Sequence, residues 1–257
     1  EYMLRPRITP CLLIKDKGLV KTIKFEKPKY VGDPINAVKI FNEKEADELI
    51  ILDIDATIHN REPDYQMIKN LAVECRMPLC YGGGVNTVEQ FTKIISLGVE
   101  KVAISAAAIK EPMLISQAAA MVGSQSVVVV IDVKKSRFGG KYEVFSHNGE
   151  QSTKLEVVNF AKKIETLGAG EIVINSIDRD GSMQGYDLKL VRLVRDAVNI
   201  PLTILGGAGD HGDFKELFRQ FGTIGASAGS LFVFKGKYRA VLINYPTQME
   251  RDKIITI

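Results

Sequence analysis

The feature that most constrains the fold is an internal repeat at a single offset. Residues 48–55 (ELIILDID) match residues 171–178 (EIVINSID) at an offset of 123 positions. Two further strand ends match at that offset: Gly83-Gly84 with Gly206-Gly207, and residues 103–106 with residues 226–229. Several matches at one spacing indicate two copies of one structural unit. They predict two half-barrels of four strand–helix units each, whereas an open, doubly wound sheet would not need them.

Short apolar runs alternate along the chain with longer segments. Eight runs are predicted as strands: residues 8–14, 48–53, 78–81, 101–104, 127–133, 171–176, 201–205 and 223–226. Their near-continuous apolar character is typical of parallel strands that are buried on both faces. The 257 residues match one (β/α)8 barrel, so we expect an α/β fold, a TIM barrel in a single domain over residues 1–257. The open doubly wound sheet is the alternative.

Helix-start signals lie between the apolar runs. They are Asp33-Pro34, a capping box over residues 86–89, and starts near Pro63, Pro112, Leu155, Asp187 and Asp210. Gly139-Gly140 predicts a small hairpin from Phe138 to Phe145, inserted after the fifth strand. No clear helical period follows Lys235, so the form of the eighth helix stays open.

Composition excludes several classes of function. The 34 basic and 31 acidic residues give a net charge of +3, which does not favour nucleic acid as a partner. No apolar run reaches the roughly 18 residues of a membrane span, and no secretory signal is visible, so we expect no membrane and a cytoplasmic protein. Three cysteines without CxxC spacing and three scattered histidines predict neither disulfides nor a metal site. We expect no cofactor.

Glycine-rich segments follow the third and the seventh predicted strands. In a (β/α)8 barrel both lie at the C-terminal face, where barrel enzymes place their sites. Glycines let backbone N–H groups approach an anion closely. Two such segments related by the repeat predict two phosphate sites, although each could be a plain turn. The residues assigned to them are Gly83, Gly84 and Ser105 on one side, and Gly206, Gly207, Gly229 and Ser230 on the other.

Aspartates also follow the strands. Asp132 ends the fifth apolar run, where its carboxylate would reach the barrel mouth and could act as general acid or base. The alternative is a helix cap or a loop-ordering role. Asp53, Asp55, Asp178 and Asp180 also lie near strand ends, and spacing alone does not separate ligand-orienting from structural members.

A second charged set begins the strands at the opposite face. It consists of Arg7, Glu48, Lys101 and Glu171. Two acids and two bases could form a ring of paired charges around the barrel axis. Position alone favours ordinary salt bridges, because residues at the bottom of a barrel usually serve stability.

From Met3 to Phe234 the sequence resembles the cyclase subunit of imidazole glycerol phosphate synthase. The matching segments are residues 10–12, 31–34, 46–49, 82–84, 123–125, 168–171, 176–181, 185–187 and 206–209. The resemblance implies a barrel that receives ammonia from a glutaminase, or glutamine amidotransferase, docked at its bottom. It implies condensation of ammonia with a phosphoribulosyl carboxamide, a small bis-phosphate, to give imidazole glycerol phosphate and an aminoimidazole carboxamide ribotide.

The resemblance also implies roles for individual residues. Arg7, Glu48, Lys101 and Glu171 match an ammonia gate, which reverses the interpretation from position alone. Asp132 matches one of two catalytic aspartates. Substrate contacts are implied for Lys21, Asp53, Asp180, Gly181 and the glycine segments.

Two positions depart from the family pattern. Leu13 stands where the family has its second catalytic aspartate, and Ser105-Ala106 stand where Asn-Thr is common. Leucine cannot transfer a proton. The chain is therefore expected to be a cyclase with a compromised acid/base pair or a diverged paralogue that conducts ammonia for amidation of a surface-sugar precursor. A third alternative is a non-catalytic activator of a glutaminase.

Overall fold

A computed structural model describes residues 5–136 and 139–256. The expected domain limits at residues 1 and 257, the start of the resemblance at Met3 and the start of the hairpin at Phe138 lie outside these residues. The strands are β1 (Arg7–Lys15), β2 (Gly18–Ile23), β3 (Glu26–Gly32), β4 (Leu49–Asp53), β5 (Leu79–Gly82), β6 (Lys101–Ile104), β7 (Val127–Lys135), β8 (Tyr142–Ser146), β9 (Gln151–Glu156), β10 (Glu171–Ser176), β11 (Leu202–Leu205), β12 (Gly225–Ala228), β13 (Phe234–Lys235) and β14 (Ala240–Val241).

Eight parallel strands close into a barrel. Their order around it is β1, β4, β5, β6, β7, β10, β11 and β12, and β12 pairs back onto β1. The predicted (β/α)8 barrel is confirmed, and the open sheet is excluded by this closure. The eighth predicted strand, residues 223–226, is observed two residues later, at β12.

Helices follow most strands of the barrel. They are α1 (Pro34–Glu43), α2 (Tyr65–Glu74), α3 (Val88–Ser96), α4 (Ala106–Lys110), α5 (Met113–Val122), α6 (Val157–Thr166), α7 (Leu188–Arg195), α8 (His211–Phe221), α9 (Ser230–Val233) and α10 (Gln248–Ile255). The predicted capping box at residues 86–89 is wrong by one position. Thr87 caps the helix and its box partner is Gln90, because the Gln90 side chain accepts from the Thr87 N–H.

The last part of the chain does not form one regular eighth helix. A single turn, α9, is followed by the small β13–β14 hairpin and then by α10, which begins with a capping box of Thr247 and Glu250. The Tyr245 hydroxyl donates to the Ile8 carbonyl oxygen at 2.7 Å. This bond fixes the C-terminal segment to the start of β1.

A two-stranded hairpin follows the first strand of each half-barrel. A hairpin does follow β7, as predicted, but it consists of β8 and β9 and extends to Glu156, so the predicted end at Phe145 is wrong. The β2–β3 hairpin after β1 was not predicted. The missed hairpin is entered from β1 through Asp16 and Lys17 and turns through Lys24 and Phe25, and all four residues have positive φ. Asparagine or glycine normally marks such a turn, and their absence hid it.

Apolar side chains fill two separate regions. A large cluster lies between the strands and the helices. A smaller one fills the barrel interior and consists of Cys11, Ile50, Cys80, Ala103, Val128, Val130, Val173 and Leu205, with Leu13 and Leu52 packed against it. Burial in this interior raises the pKa of the Cys11 thiol to about 12. Among the helices of the described residues, none combines the length and the apolarity of a membrane span.

Candidate active site at the barrel mouth

The C-terminal ends of the strands surround an open cavity, here called the mouth. Both glycine segments line it. They follow β5 and β11, which are four strands apart in an eight-stranded barrel and therefore opposite each other. The sequence repeat thus brings its two glycine pairs to one cavity, as predicted.

The first side of the mouth contains Gly83, Gly84 and Ser105. Gly83 has φ +133°, and a Cβ there would stand 2.7 Å from the carbonyl oxygen of Asp53. Only glycine permits this approach of two backbone segments. Ser105 precedes α4, and its hydroxyl makes no capping hydrogen bond. Its hydroxyl is therefore not committed to the helix start.

The second side combines glycines with a cation. Gly206, Gly207, Gly229 and Ser230 line it together with Lys21 of β2. A Cβ at Gly229 would collide with the Lys21 ammonium group, so the lysine lies directly against this backbone. Ser230 is buried, and its hydroxyl has no hydrogen-bond partner within the described ranges. A buried cation, a free hydroxyl and close backbone suit an anionic group.

Asp180 connects the β2–β3 hairpin to the mouth. One carboxylate oxygen accepts from the Thr22 hydroxyl at 2.8 Å and from the Phe25 N–H at 3.0 Å. The neighbouring Gly181 lies against the backbone of the same hairpin. Both predicted residues line the cavity. Sequence reasoning missed Thr22 and Phe25 as hydrogen-bond partners of Asp180, because each lies more than 150 residues from it along the chain.

The other aspartates fall into different environments. One oxygen of Asp53 accepts from the N–H groups of Asp55 and Ala56, so this mouth residue also orders its loop. Burial raises the pKa of Asp53, and these two hydrogen bonds oppose the rise. Asp55 is buried next to Arg61 at 3.5 Å, and Asp178 accepts from the Lys135 N–H. Asp55 and Asp178 therefore support loops.

Asp132 lies on β7 and faces the mouth. Asn175 of β10 donates its Nδ2–H to Asp132 Oδ1 at 3.1 Å. Burial raises the pKa of Asp132 to about 7, Asn175 opposes the rise, and the charge of Asp180 adds to it. A carboxyl group that titrates near neutral pH can both give and take a proton. Asn175 was not among the predicted site residues.

The first half-barrel carries an apolar pair at the equivalent place. Leu13 of β1 pairs in register with Leu52 of β4, as Asp132 pairs with Asn175. Residues 52 and 175 differ by the repeat offset of 123. Leu13 lines the mouth and packs against the interior cluster. Lys15 is 3.9 Å from Asp55, and Asp16 lies in the turn between β1 and β2, so neither residue occupies the place of Leu13.

The four charged residues at the bottom of the barrel form a closed ring, here called the bottom ring. Arg7 contacts Glu48 at 2.7 Å and Glu171 at 3.3 Å. Lys101 contacts the same two carboxylates at 2.8 and 2.9 Å. Both glutamate side chains are at most 6% exposed. The predicted grouping is confirmed, and the two carboxylates are buried, whereas the Arg7 and Lys101 side chains are partly exposed.

The two glutamates of the bottom ring differ in pKa. Burial raises the pKa of Glu48, and the charge of Glu171 adds to the rise. Burial acts on Glu171 in the same direction, but Lys101, Arg7 and a hydrogen bond from the Thr203 hydroxyl together lower its pKa below the ordinary value. Glu171 is therefore the more firmly ionised of the two.

Fold and site together define a class: a (β/α)8-barrel protein with glycine segments, a lysine and a carboxyl group at the C-terminal mouth, where such barrels act. Residues 7–239 match the family described as histidine biosynthesis protein. The chain is 56% identical over 255 residues to a Vibrio vulnificus protein named "Putative imidazole glycerol phosphate synthase subunit hisF3", covering 99% of this chain and 98% of that protein.

A relative from Lactococcus lactis subsp. cremoris, named imidazole glycerol phosphate synthase subunit HisF, is 44% identical over 230 residues. That alignment covers 90% of this chain and 89% of the relative. A Leptospira interrogans relative with a similar name is 53% identical over 252 residues, which cover 98% of this chain and 99% of the relative. The chain belongs to the HisF family of imidazole glycerol phosphate synthase subunits.

Proposed function

We propose that this protein is an ammonia-using cyclase, a lyase of the imidazole glycerol phosphate synthase type. It condenses ammonia with a phosphoribulosyl carboxamide and releases imidazole glycerol phosphate and an aminoimidazole carboxamide ribotide. The observation that carries the proposal is Asp132, a half-buried carboxyl with a pKa of about 7, placed in a mouth that has glycine segments on opposite sides. The 44–56% identity to HisF subunits supports the same activity.

The mouth binds a substrate with two phosphates. One phosphate lies at Gly83, Gly84 and Ser105. The other lies at Gly206, Gly207, Gly229 and Ser230, where the Lys21 ammonium supplies the charge. Asp53, Asp180 and Gly181 contact the part of the substrate between the phosphates. Ser105 offers one hydroxyl and Ala106 none, so the first phosphate is held less tightly than the second.

Asp132 moves the protons of the reaction. Ionised, it accepts a proton from ammonia as the nitrogen attacks. Protonated, it gives a proton to the group that leaves. A pKa near 7 keeps both forms populated at neutral pH, and such a group typically accelerates a reaction about 10²–10⁴-fold. Leu13 supplies no second carboxyl, so turnover is weak beside that of a cyclase with two.

Ammonia enters from a glutaminase partner at the bottom ring. The interior cluster between ring and mouth contains no charged side chain. Neutral ammonia passes such a region, whereas an ammonium ion would lose its hydration at a cost of several kcal/mol. The four side chains of the bottom ring are paired with one another. One of these ion pairs therefore breaks each time an ammonia molecule passes. The chain, residues 1–257, acts as one domain, in the cytoplasm, where its three cysteines stay reduced.

One observation favours a second candidate. Leu13 and its neighbour Leu52 remove the polar pair from half of the mouth. A barrel altered in this way could still conduct ammonia to another acceptor, such as a surface-sugar precursor, or could only activate its glutaminase. The names of the relatives described above refer to imidazole glycerol phosphate synthase and none refers to sugar amidation, so cyclase activity stands first.

Steady-state turnover tests the proposal. Purified protein receives the phosphoribulosyl carboxamide and free ammonium, and formation of imidazole glycerol phosphate is followed. We expect measurable turnover that is lost in Asp132→Asn, with the surface variant Lys69→Met as the control. No product from the wild type at saturating substrate would contradict the cyclase. Glutamine hydrolysis by a glutaminase partner that rises on adding the barrel would then support the ammonia-supplying or activating alternatives.

A further inference from the structure

Asn175 is a polar residue of the mouth that the roles above leave without a function. Asn175 is 6% exposed and lies beside Asp132 in register on the adjacent strand. We propose that Asn175 is the positioning residue of Asp132, and that the two side chains work as one acid–amide pair. This inference rests on the proposed function of Asp132 as the proton-transferring group.

The geometry restricts the carboxylate to one orientation. Asn175 Nδ2 donates to Asp132 Oδ1 at 3.1 Å, and no other hydrogen bond to this carboxylate is present in the part of the chain that the structure describes. Both residues lie on neighbouring barrel strands, which hold their backbones rigidly. The donated hydrogen bond leaves Asp132 Oδ2 as the oxygen that exchanges protons with substrate.

The other end of the same amide is unpaired. Asn175 Oδ1 is buried and has no hydrogen-bond partner among the described residues. An unpaired buried acceptor is unfavourable, and proteins rarely keep one without a function. It lies next to Gly206, where a Cβ would stand 3.3 Å away, so the glycine leaves space for the amide.

An amide can serve both protonation states of its neighbour. With ionised Asp132, Nδ2 donates to the carboxylate, as observed. When Asp132 is protonated at Oδ2, Nδ2 still donates to Oδ1, but more weakly because the carboxyl group is then neutral. The amide therefore favours the ionised form while it leaves the proton on Oδ2 free for transfer to substrate. A leucine at this position offers no donor.

The first half-barrel supports the pairing independently. At the equivalent register, Leu13 faces Leu52, so the half without the acid is also without the amide. If Asn175 had no role beyond forming the strand, there would be no reason for the amide to occur in the same half-barrel as the acid. The repeat instead shows the two polar residues together in one half and two leucines together in the other.

Other ionisable groups around Asp132 set the background for its titration. Lys21 of β2, Asp53 of β4, Asp180 and the Cys11 thiol of β1 line the same cavity. On β8, the residue paired with Asp132 is Phe145, which carries no charge. The charge of Asp180 acts on Asp132 in the direction opposite to the hydrogen bond from Asn175. All these groups stay in place when Asn175 is replaced.

The experiment follows the Asp132 carboxyl by carbon-13 NMR in protein labelled at the aspartate carboxyls. Asp132→Asn identifies the signal by its absence. Asn175→Leu keeps the volume but removes the donor, so we expect the titration midpoint to rise by roughly one pH unit. Asn175→Thr keeps a donor and acceptor and should return the midpoint toward that of the wild type. Leu52→Val, at the equivalent position of the other half, is the control.

An unchanged or lower midpoint in Asn175→Leu would overturn the proposal, as would an equal shift in Leu52→Val. In the turnover assay, the pH limb of kcat should move with the NMR midpoint while KM changes less than about threefold. A pH-independent loss of kcat would also contradict it. Should Asn175→Leu not fold, Asn175→Ala, which also removes the donor, is titrated instead, and a midpoint no higher than that of Leu52→Val would overturn the proposal. NMR needs no turnover, so a wild type without cyclase activity would defeat the proposed function alone.

Discussion

The two half-barrels share their backbone plan but not their chemistry. Each has a hairpin after its first strand, a glutamate at the start of its second strand and glycines after its third. Only the second half pairs Asp132 with Asn175, while the first pairs Leu13 with Leu52. The comparison teaches that the repeat fixes where side chains reach the mouth. The chemistry at each such place is set by single residues.

The largest expected effect comes from restoring the missing pair. Leu13→Asp alone places a carboxyl beside Leu52, without a donor and in apolar surroundings that raise its pKa. The double variant Leu13→Asp with Leu52→Asn copies the arrangement of the second half. We expect cyclase kcat to rise little in the single variant and by about 10²-fold or more in the double variant.

The measurement is kcat with free ammonium at saturating substrate, with Leu52→Asn alone as the control. A double variant no faster than the wild type would show that equivalence in the backbone does not extend to function. A wild type already as fast as cyclases with two aspartates would show that Leu13 is no defect.

The next effect concerns the bottom ring, to which the first half contributes three residues and the second half one. Lys101→Met leaves Glu48 and Glu171 to share the Arg7 cation. Breaking a buried ion pair typically costs about 3–5 kcal/mol. We expect a loss of unfolding free energy in this range, together with altered coupling between glutamine hydrolysis and ammonia use.

Urea unfolding measures the first quantity, and the ratio of glutamate to cyclised product measures the second. Lys69→Met removes an exposed lysine and serves as the control. The gate assignment fails when a folded Lys101→Met protein keeps the wild-type ratio. A charge reversal, Lys101→Glu, should disturb the ratio further.

The smallest effect is on stability and depends on pH. Asp132 titrates near pH 7 when folded and near 3.9 when unfolded. The folded state therefore binds more protons between these values, and the free energy of unfolding falls as pH rises through this window. Asp132→Asn removes this fall in the free energy of unfolding, because asparagine does not titrate. We expect the variant to match the wild type near pH 4 and to exceed it by ~2–4 kcal/mol near pH 8.

Thermal and urea unfolding across pH 4–8 give the comparison. Asp178→Asn is the control, since its carboxylate accepts a backbone hydrogen bond at the surface. A difference between Asp132→Asn and wild type that is constant with pH would show that Asp132 is ionised normally. The two half-barrels would then not differ by a carboxyl group with a raised pKa.

Much of this arrangement follows from local sequence, and the rest depends on register. The offset of 123 predicts the barrel, and the strand starts predict that Arg7, Glu48, Lys101 and Glu171 meet. Asn175 was missed because its importance comes from the residue opposite it on another strand, 43 positions away. The β2–β3 hairpin was missed because its turn uses Lys24 and Phe25, neither of which is a usual turn residue.

The central claim is that proton transfer belongs to the second half-barrel and to Asp132. It is tested most directly by kcat of Asp132→Asn and Asp53→Asn at saturating substrate and ammonium. Asp53 is the mouth carboxylate of the first half, already bonded to the Asp55 and Ala56 N–H groups. We predict a loss of at least about 100-fold in Asp132→Asn and less than about tenfold in Asp53→Asn. Equal losses, or the greater loss in Asp53→Asn, would contradict the account.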